Sequence, residues 1–114
     1  MDDCLFCRII DGKIPAKIVY QDDSAVAIED IHPQAPVHLL VIPRQHLPSL
    51  KEARAEDELL LGHLHQVASQ LARERALESG GYRTVINNGA GAGQSVFHLH
   101  VHVLGGRHFH WPPG

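Results

Sequence analysis

Three histidines at alternate positions, His98, His100 and His102, stand in an apolar run with Phe97, Leu99, Val101, Val103 and Leu104. Alternate side chains of a strand share a face, so the three imidazoles are expected to project one way at about 6.6 Å per step. Phe97, Leu99, Val101 and Val103 are expected to point the other way, into a core. Spacing alone leaves two chemistries open. Either two of the imidazoles ligate one metal, or one is a nucleophile whose neighbours manage charge and protons. The outer pair lies about 13 Å apart along the backbone, too far to share a metal easily. The central His100 has a helper on each side.

The segment before this run, Asn88-Gly89-Ala90-Gly91-Ala92-Gly93-Gln94-Ser95, is rich in glycine. Such a loop can bring backbone N–H groups close to an anion, and Gln94 and Ser95 offer side-chain donors beside it. An anion cradle followed by imidazole points to attack on phosphorus. No Walker-type lysine motif occurs, which excludes P-loop chemistry. Cys4 and Cys7 form a second feature, Cys-x-x-Cys, read as metal-binding or redox-active rather than as a structural disulfide.

Composition bounds the setting of these residues. The chain has 114 residues, 44% hydrophobic and 20% charged, with ten dispersed histidines and a formal net charge of −3. One domain spanning 1–114 is expected, with 105–114 as an extended tail. The apolar fraction excludes a disordered chain. The negative charge argues against nucleic-acid binding, and no apolar run is long enough to span a membrane. The acidic N-terminus lacks a secretory core, so a cytoplasmic location is expected.

The elements that must position the site are legible as pattern. Residues 4–11 read as a short helix stopped by Gly12. Strands are expected at 17–20, 25–30, 37–42, 82–87 and 96–104, with prolines 33 and 36 keeping 31–36 irregular. Leu60, Leu64, Val67, Ala68 and Leu71 recur at helical spacing, predicting one long helix over 56–77 closed by Gly80-Gly81. The expected fold is α+β, a five-stranded antiparallel sheet with one long and one short helix.

His98-Leu99-His100-Val101-His102-Val103-Leu104 fits the pattern His-φ-His-φ-His-φ-φ, with φ apolar, and so resembles the histidine triad family. Ile14-Pro15-Ala16-Lys17, Asp30-Ile31, Gln34-Ala35-Pro36, Val41-Ile42-Pro43, Gly93-Gln94-Ser95 and His110-Trp111-Pro112-Pro113-Gly114 are similar to its Hint branch, the histidine triad nucleotide-binding proteins. The resemblance implies a homodimer with one larger continuous sheet, acting as a purine-nucleoside phosphoramidase on AMP-amide or AMP-lysine-like substrates. It implies His100 as the nucleophile, His102 facing phosphate, His38 positioning the nucleophile and Ser95 at the leaving group. Gly93, Gln94 and Asn87 would lie at the phosphate and Asp30 at the ribose. Leu5, Phe6, Ile9, Ile28 and Ile31 would form an apolar slot for the base. The tail with Trp111 would reach toward the partner's site.

Related histidine triad proteins carry the cysteine pair. There the resemblance implies a structural zinc on Cys4, Cys7, His46 and His98, with no cofactor needed for catalysis; a reduced, unligated pair is the alternative. His63 and His65 read as surface or interface residues of the long helix. His32, in the loop beside the expected ribose site, could touch ligand, and His108 and His110 belong to the tail. Rival functions are an AMP-binding protein without useful turnover, a metalloenzyme using the triad, and a dinucleoside polyphosphate hydrolase or nucleotidyl transferase.

Overall fold

The computed structural model describes residues 3–114. A short helix α1, Leu5–Ile10, precedes three strands, β1 (Ile18–Gln21), β2 (Ala25–Glu29) and β3 (Val37–Pro43). The long helix α2, Glu58–Glu74, leads to β4 (Tyr82–Val85) and β5 (Val101–Gly105). Together the strands make one antiparallel sheet in the order β1-β2-β3-β5-β4, as expected of an α+β fold.

Alternation along the strands gives the sheet two different faces. Ala25, Ala27, Leu39, Val41, Val101 and Val103 pack with Leu64, Val67, Ala68, Leu71 and Ala72 of α2. Each large aliphatic side chain buried there contributes about 1.5–3 kcal/mol of transfer free energy. Val26, Ile28, Leu40 and Ile42 face the other way and meet Phe6 and Ile9 of α1. By the same alternation His38 and His102 fall on the α1 face, with Leu40 directly opposite His102. The triad therefore lies on the side of the sheet away from α2.

Three boundaries differ from the sequence pattern. The last strand begins at Val101, so His98 and His100 precede its ladder. Pro43 ends β3, and the Leu99 amide donates instead to the carbonyl of Leu47 at 2.7 Å, in the connection beyond it. Phe97, expected in the core, is 50% exposed. β4 stops at Val85 and leaves Asn87 in the following loop.

The long helix also ends at Glu74, not at the glycine pair. Its stop is Ala76, whose φ of 58° is left-handed. The Leu77 amide then reaches the Ala72 carbonyl at 2.9 Å, and that of Ala76 reaches Arg73 at 3.0 Å, a Schellman motif with alanine where glycine is usual. An L-residue is strained there, so Ala76→Gly should raise stability by roughly 0.5–1 kcal/mol, measured by urea unfolding.

Asp22 fixes the β1–β2 turn by accepting from the amides of Ser24 and Ala25, both at 2.8 Å. Its other oxygen accepts from Tyr20 Oη at 2.6 Å and pairs with His63 of α2 at 2.7 Å. Burial opposes the charge, but these hydrogen bonds outweigh it and hold the carboxyl well below the usual range. His63 is thus a tether between helix and turn, a role its place on the helix did not reveal. At the other end of the chain, Arg83 and Arg107 sit over Phe109, at 5.2 and 4.3 Å from its ring centre. Arg83 also donates to the His110 carbonyl at 3.1 Å.

Candidate active site and metal cluster

His100 is buried, 8% exposed, and its ring stands edge-on to Phe6 at 5.0 Å. Its Nδ1 lies 2.8 Å from the carbonyl of His98. A carbonyl only accepts, so Nδ1 carries the proton and donates. The lone pair is therefore left on Nε2. Burial pushes the His100 pKa below the ordinary value, which keeps the ring neutral.

A second chain of hydrogen bonds fixes the neighbours. The Gln34 amide donates to His38 Nδ1 at 3.0 Å, so His38 holds its proton on Nε2. That Nε2 lies 2.9 Å from His102 Nδ1 and 3.3 Å from Asp30 Oδ2. Donation to His102 Nδ1 leaves His102 protonated on Nε2, as a donor. Asp30, His38 and His102 lie close enough to hold a metal. The Gln34 amide argues against one, because it ties up the His38 nitrogen that must otherwise carry the proton. The trio reads as a shared-proton network.

Burial lowers the pKa of His38, His98 and His100, and pushes that of His102, beside two other imidazoles, down to about 4. Unfolded histidine titrates near about 6.5. Between those values the unfolded chain binds more protons, so stability is full above about pH 6.5 and falls as pH drops toward 4. Urea unfolding from pH 7.5 to 4.5 should show this slope, and His102→Gln should flatten it.

The residues expected to hold a base converge. Leu5, Phe6, Ile9, Ile28 and Ile31 line one cavity of about 120 Å³, with Asp30 at its rim. Leu40 lines it too. The sequence reading missed Leu40, although its place two residues after His38 puts both on one face. The phosphate-side residues are less assembled. Ser95 is exposed and lines a different cavity, with His46 and Phe97. Asn87 borders a groove with Arg83 and Trp111, its amide 3.9 Å from the position a Cβ on Gly93 would take.

Gln94 corrects the expectation of a free side-chain donor. Its amide is spent inside the loop, accepting from Gly89 N at 2.8 Å and donating to the carbonyls of Pro48 at 2.8 Å and Val96 at 3.1 Å. The amides of Gly93 and Gln94 are likewise engaged, with Ala90 and Gly89.

Cys4, Cys7, His46 and His98 form a second cluster, their ligand atoms all within 4.8 Å of one another. Nδ1 of His98 lies 3.3 Å from Cys4 Sγ, 3.5 Å from Cys7 Sγ and 3.1 Å from His46 Nδ1. Cys7 Sγ lies 3.3 Å from His46 Nδ1. Zinc bonds of about 2.3 Å to sulfur and 2.0 Å to nitrogen put tetrahedral ligands roughly 3.3–3.8 Å apart. His98 Nε2 donates to the Pro43 carbonyl at 2.7 Å, which fixes its proton there and leaves Nδ1 as a ligand. The donor set and its outer hydrogen bond fit a closed, structural zinc site. Burial and the neighbouring Cys4 push the Cys7 thiol up to about 11, so metal binding there would release protons.

Fold and site define an α+β protein whose sheet presents a tautomer-fixed histidine triad beside an apolar slot. Residues 3–110 match the family model described as scavenger mRNA decapping enzyme C-terminal binding. HIT-like proteins of Synechocystis sp. and Synechococcus elongatus are each 53% identical over 113 residues, covering 99% of this chain and 98% of theirs. A HIT family hydrolase of Legionella pneumophila superposes with a TM-score of 0.96 at 46% identity, covering 98% of this chain and all of that one. A histidine triad protein of Clostridium difficile gives 0.93 at 38% identity, with 96% of each chain covered. This chain belongs to the histidine triad (HIT) family, and the solved structures similar to it include proteins described as HIT family hydrolases. Among the described residues no helix is long and apolar enough to cross a membrane.

Proposed function

We propose that the protein hydrolyses the P–N bond of nucleoside 5′-phosphoramidates through a nucleotidylated His100. The observation that carries this reading is the bond from His100 Nδ1–H to the His98 carbonyl, which leaves the Nε2 lone pair free for phosphorus. Nε2 attacks, the P–N bond breaks, and the amine departs with a proton taken up on nitrogen. Water then cleaves the His100–phosphorus bond and releases the nucleoside monophosphate. His102 Nε2–H would hold a phosphate oxygen, with Asn87 beside the phosphate, while Gly93 and Gln94 would shape the loop through their internal bonds. His38, which the resemblance assigns to positioning the nucleophile, would instead orient His102, whose Nδ1 lies 2.9 Å from its Nε2, and Ser95 would meet the leaving amine. Asp30 would accept from ribose hydroxyls, at the sugar end because a carboxylate repels phosphate. The base would fill the slot of Leu5, Phe6, Ile9, Ile28 and Ile31.

The same reading has two copies of the chain joining their sheets into one larger sheet, with Trp111 near the partner's site, in the cytoplasm. Zinc would sit on Cys4, Cys7, His46 and His98 and hold structure; no step of the reaction passes through it. The test is to quench a reaction with AMP-morpholidate or AMP-NH2 in its first turnovers and map the adduct by mass spectrometry. A nucleotide on His100 supports the reading, and hydrolysis with no adduct there overturns it. Diadenosine polyphosphates as competing substrates test the neighbouring hydrolase reading.

A further inference from the structure

The helix that supplies Leu5, Phe6 and Ile9 to the base slot is short, and it meets the sheet through two buried side chains and the metal cluster. α1 has six residues, and an isolated helix below about 12 residues is marginal in water. It pairs with no strand, and only Phe6 and Ile9 are buried. Two of the four cluster donors belong to it: Cys4 is its N-cap residue and Cys7 lies in its first turn. The other two, His46 and His98, follow β3 and precede β5, the central strands of the sheet. An ion in the cluster would therefore fasten α1 to the middle of the sheet. Leu5, Phe6 and Ile9 project from that same helix into the slot. Phe6 also stands edge-on to both His98, at 5.9 Å, and His100, at 5.0 Å.

We propose that filling the Cys4–Cys7–His46–His98 cluster with zinc docks α1 and thereby completes the base slot, so that nucleotide affinity depends on a metal that touches no nucleotide. Leu5, Phe6 and Ile9 carry the coupling. His98 adds a second strand to it, since its ring enters the cluster while its carbonyl holds His100 Nδ1. This rests on the nucleotide-binding reading above for its ligand, but not for the docking itself.

The experiment compares the full chain loaded with zinc and stripped by chelation. AMP binding is measured by calorimetry and amide exchange by mass spectrometry. Stripping should weaken AMP binding at least tenfold and speed exchange of the α1 amides at least tenfold, while β3 and β5 stay protected. Zinc-loaded Phe6→Ala should lose AMP affinity by a similar factor, and stripping that variant should add little. Unchanged AMP affinity, unchanged α1 exchange, losses that simply add, or exposure of the whole sheet at once would each overturn the proposal. So would a chain that takes up no zinc. If the loaded protein fails to bind AMP, the nucleotide reading falls, and the exchange result alone then judges the docking.

Discussion

His100→Ala is expected to lower phosphoramidate hydrolysis by on the order of 10³-fold or more while leaving AMP affinity within about threefold. The asymmetry follows from position. On the proposed reading Phe6, Ile28 and Asp30 would hold base and sugar, so binding would not need the imidazole. The chemical step does, because neither neighbour offers a free ring lone pair: His102 carries its proton on Nε2, and His38 spends both nitrogens on Gln34, His102 and Asp30. The substitution also strands the buried His98 carbonyl, at about 1–3 kcal/mol of stability. Single-turnover kinetics on folded variant, with AMP titration alongside, checks both halves. Turnover surviving within tenfold would remove His100 from the mechanism.

Gln94→Ala should cost about 2–4 kcal/mol, the largest loss expected from a loop position in this chain. One buried amide holds Gly89, Pro48 and Val96 together, so its loss leaves a donor and two acceptors without partners. The glycines of this loop supply no side chains to compensate, and the segment preceding the triad should loosen. Chemical denaturation reads the stability change. Amide exchange across 88–96 should rise far more than in β2 or α2, and hydrolysis should fall with it, because Ser95 follows directly. Gln94→Glu keeps the shape and the acceptor but sets a buried carboxylate oxygen against the carbonyls of Pro48 and Val96, so it should cost at least as much as alanine.

The sheet and the triad were legible because apolar alternation and regular strands impose the same period of two. Leu39, Val41, Val101 and Val103 all turned toward α2 as that period requires. That Leu5 and Ile31 line one cavity was legible only through family resemblance, since they lie far apart in sequence. What escaped is where single hydrogen bonds override pattern. The 96–104 run reads as one strand, yet Pro43 ends the neighbouring ladder and hands the Leu99 amide to Leu47. α2 stops at Ala76 because local backbone bonds satisfy its end before any glycine arrives. Gln94 looked like a free donor because a sequence does not show that its partners, Pro48 and Val96, lie within reach. The tautomers of His38, His100 and His102 are set by backbone groups of Gln34 and His98, which leave no mark on residue identity.

The two guanidinium groups over Phe109 have a bearing on how far the indole can roam. From that clamp to Trp111 is two residues, about 7 Å of fully stretched backbone. A tail free from Gly105 onward could sweep a wide arc in search of a surface; this one is leashed beside β4. The ring, 83% exposed, is thereby kept within a short reach of that strand.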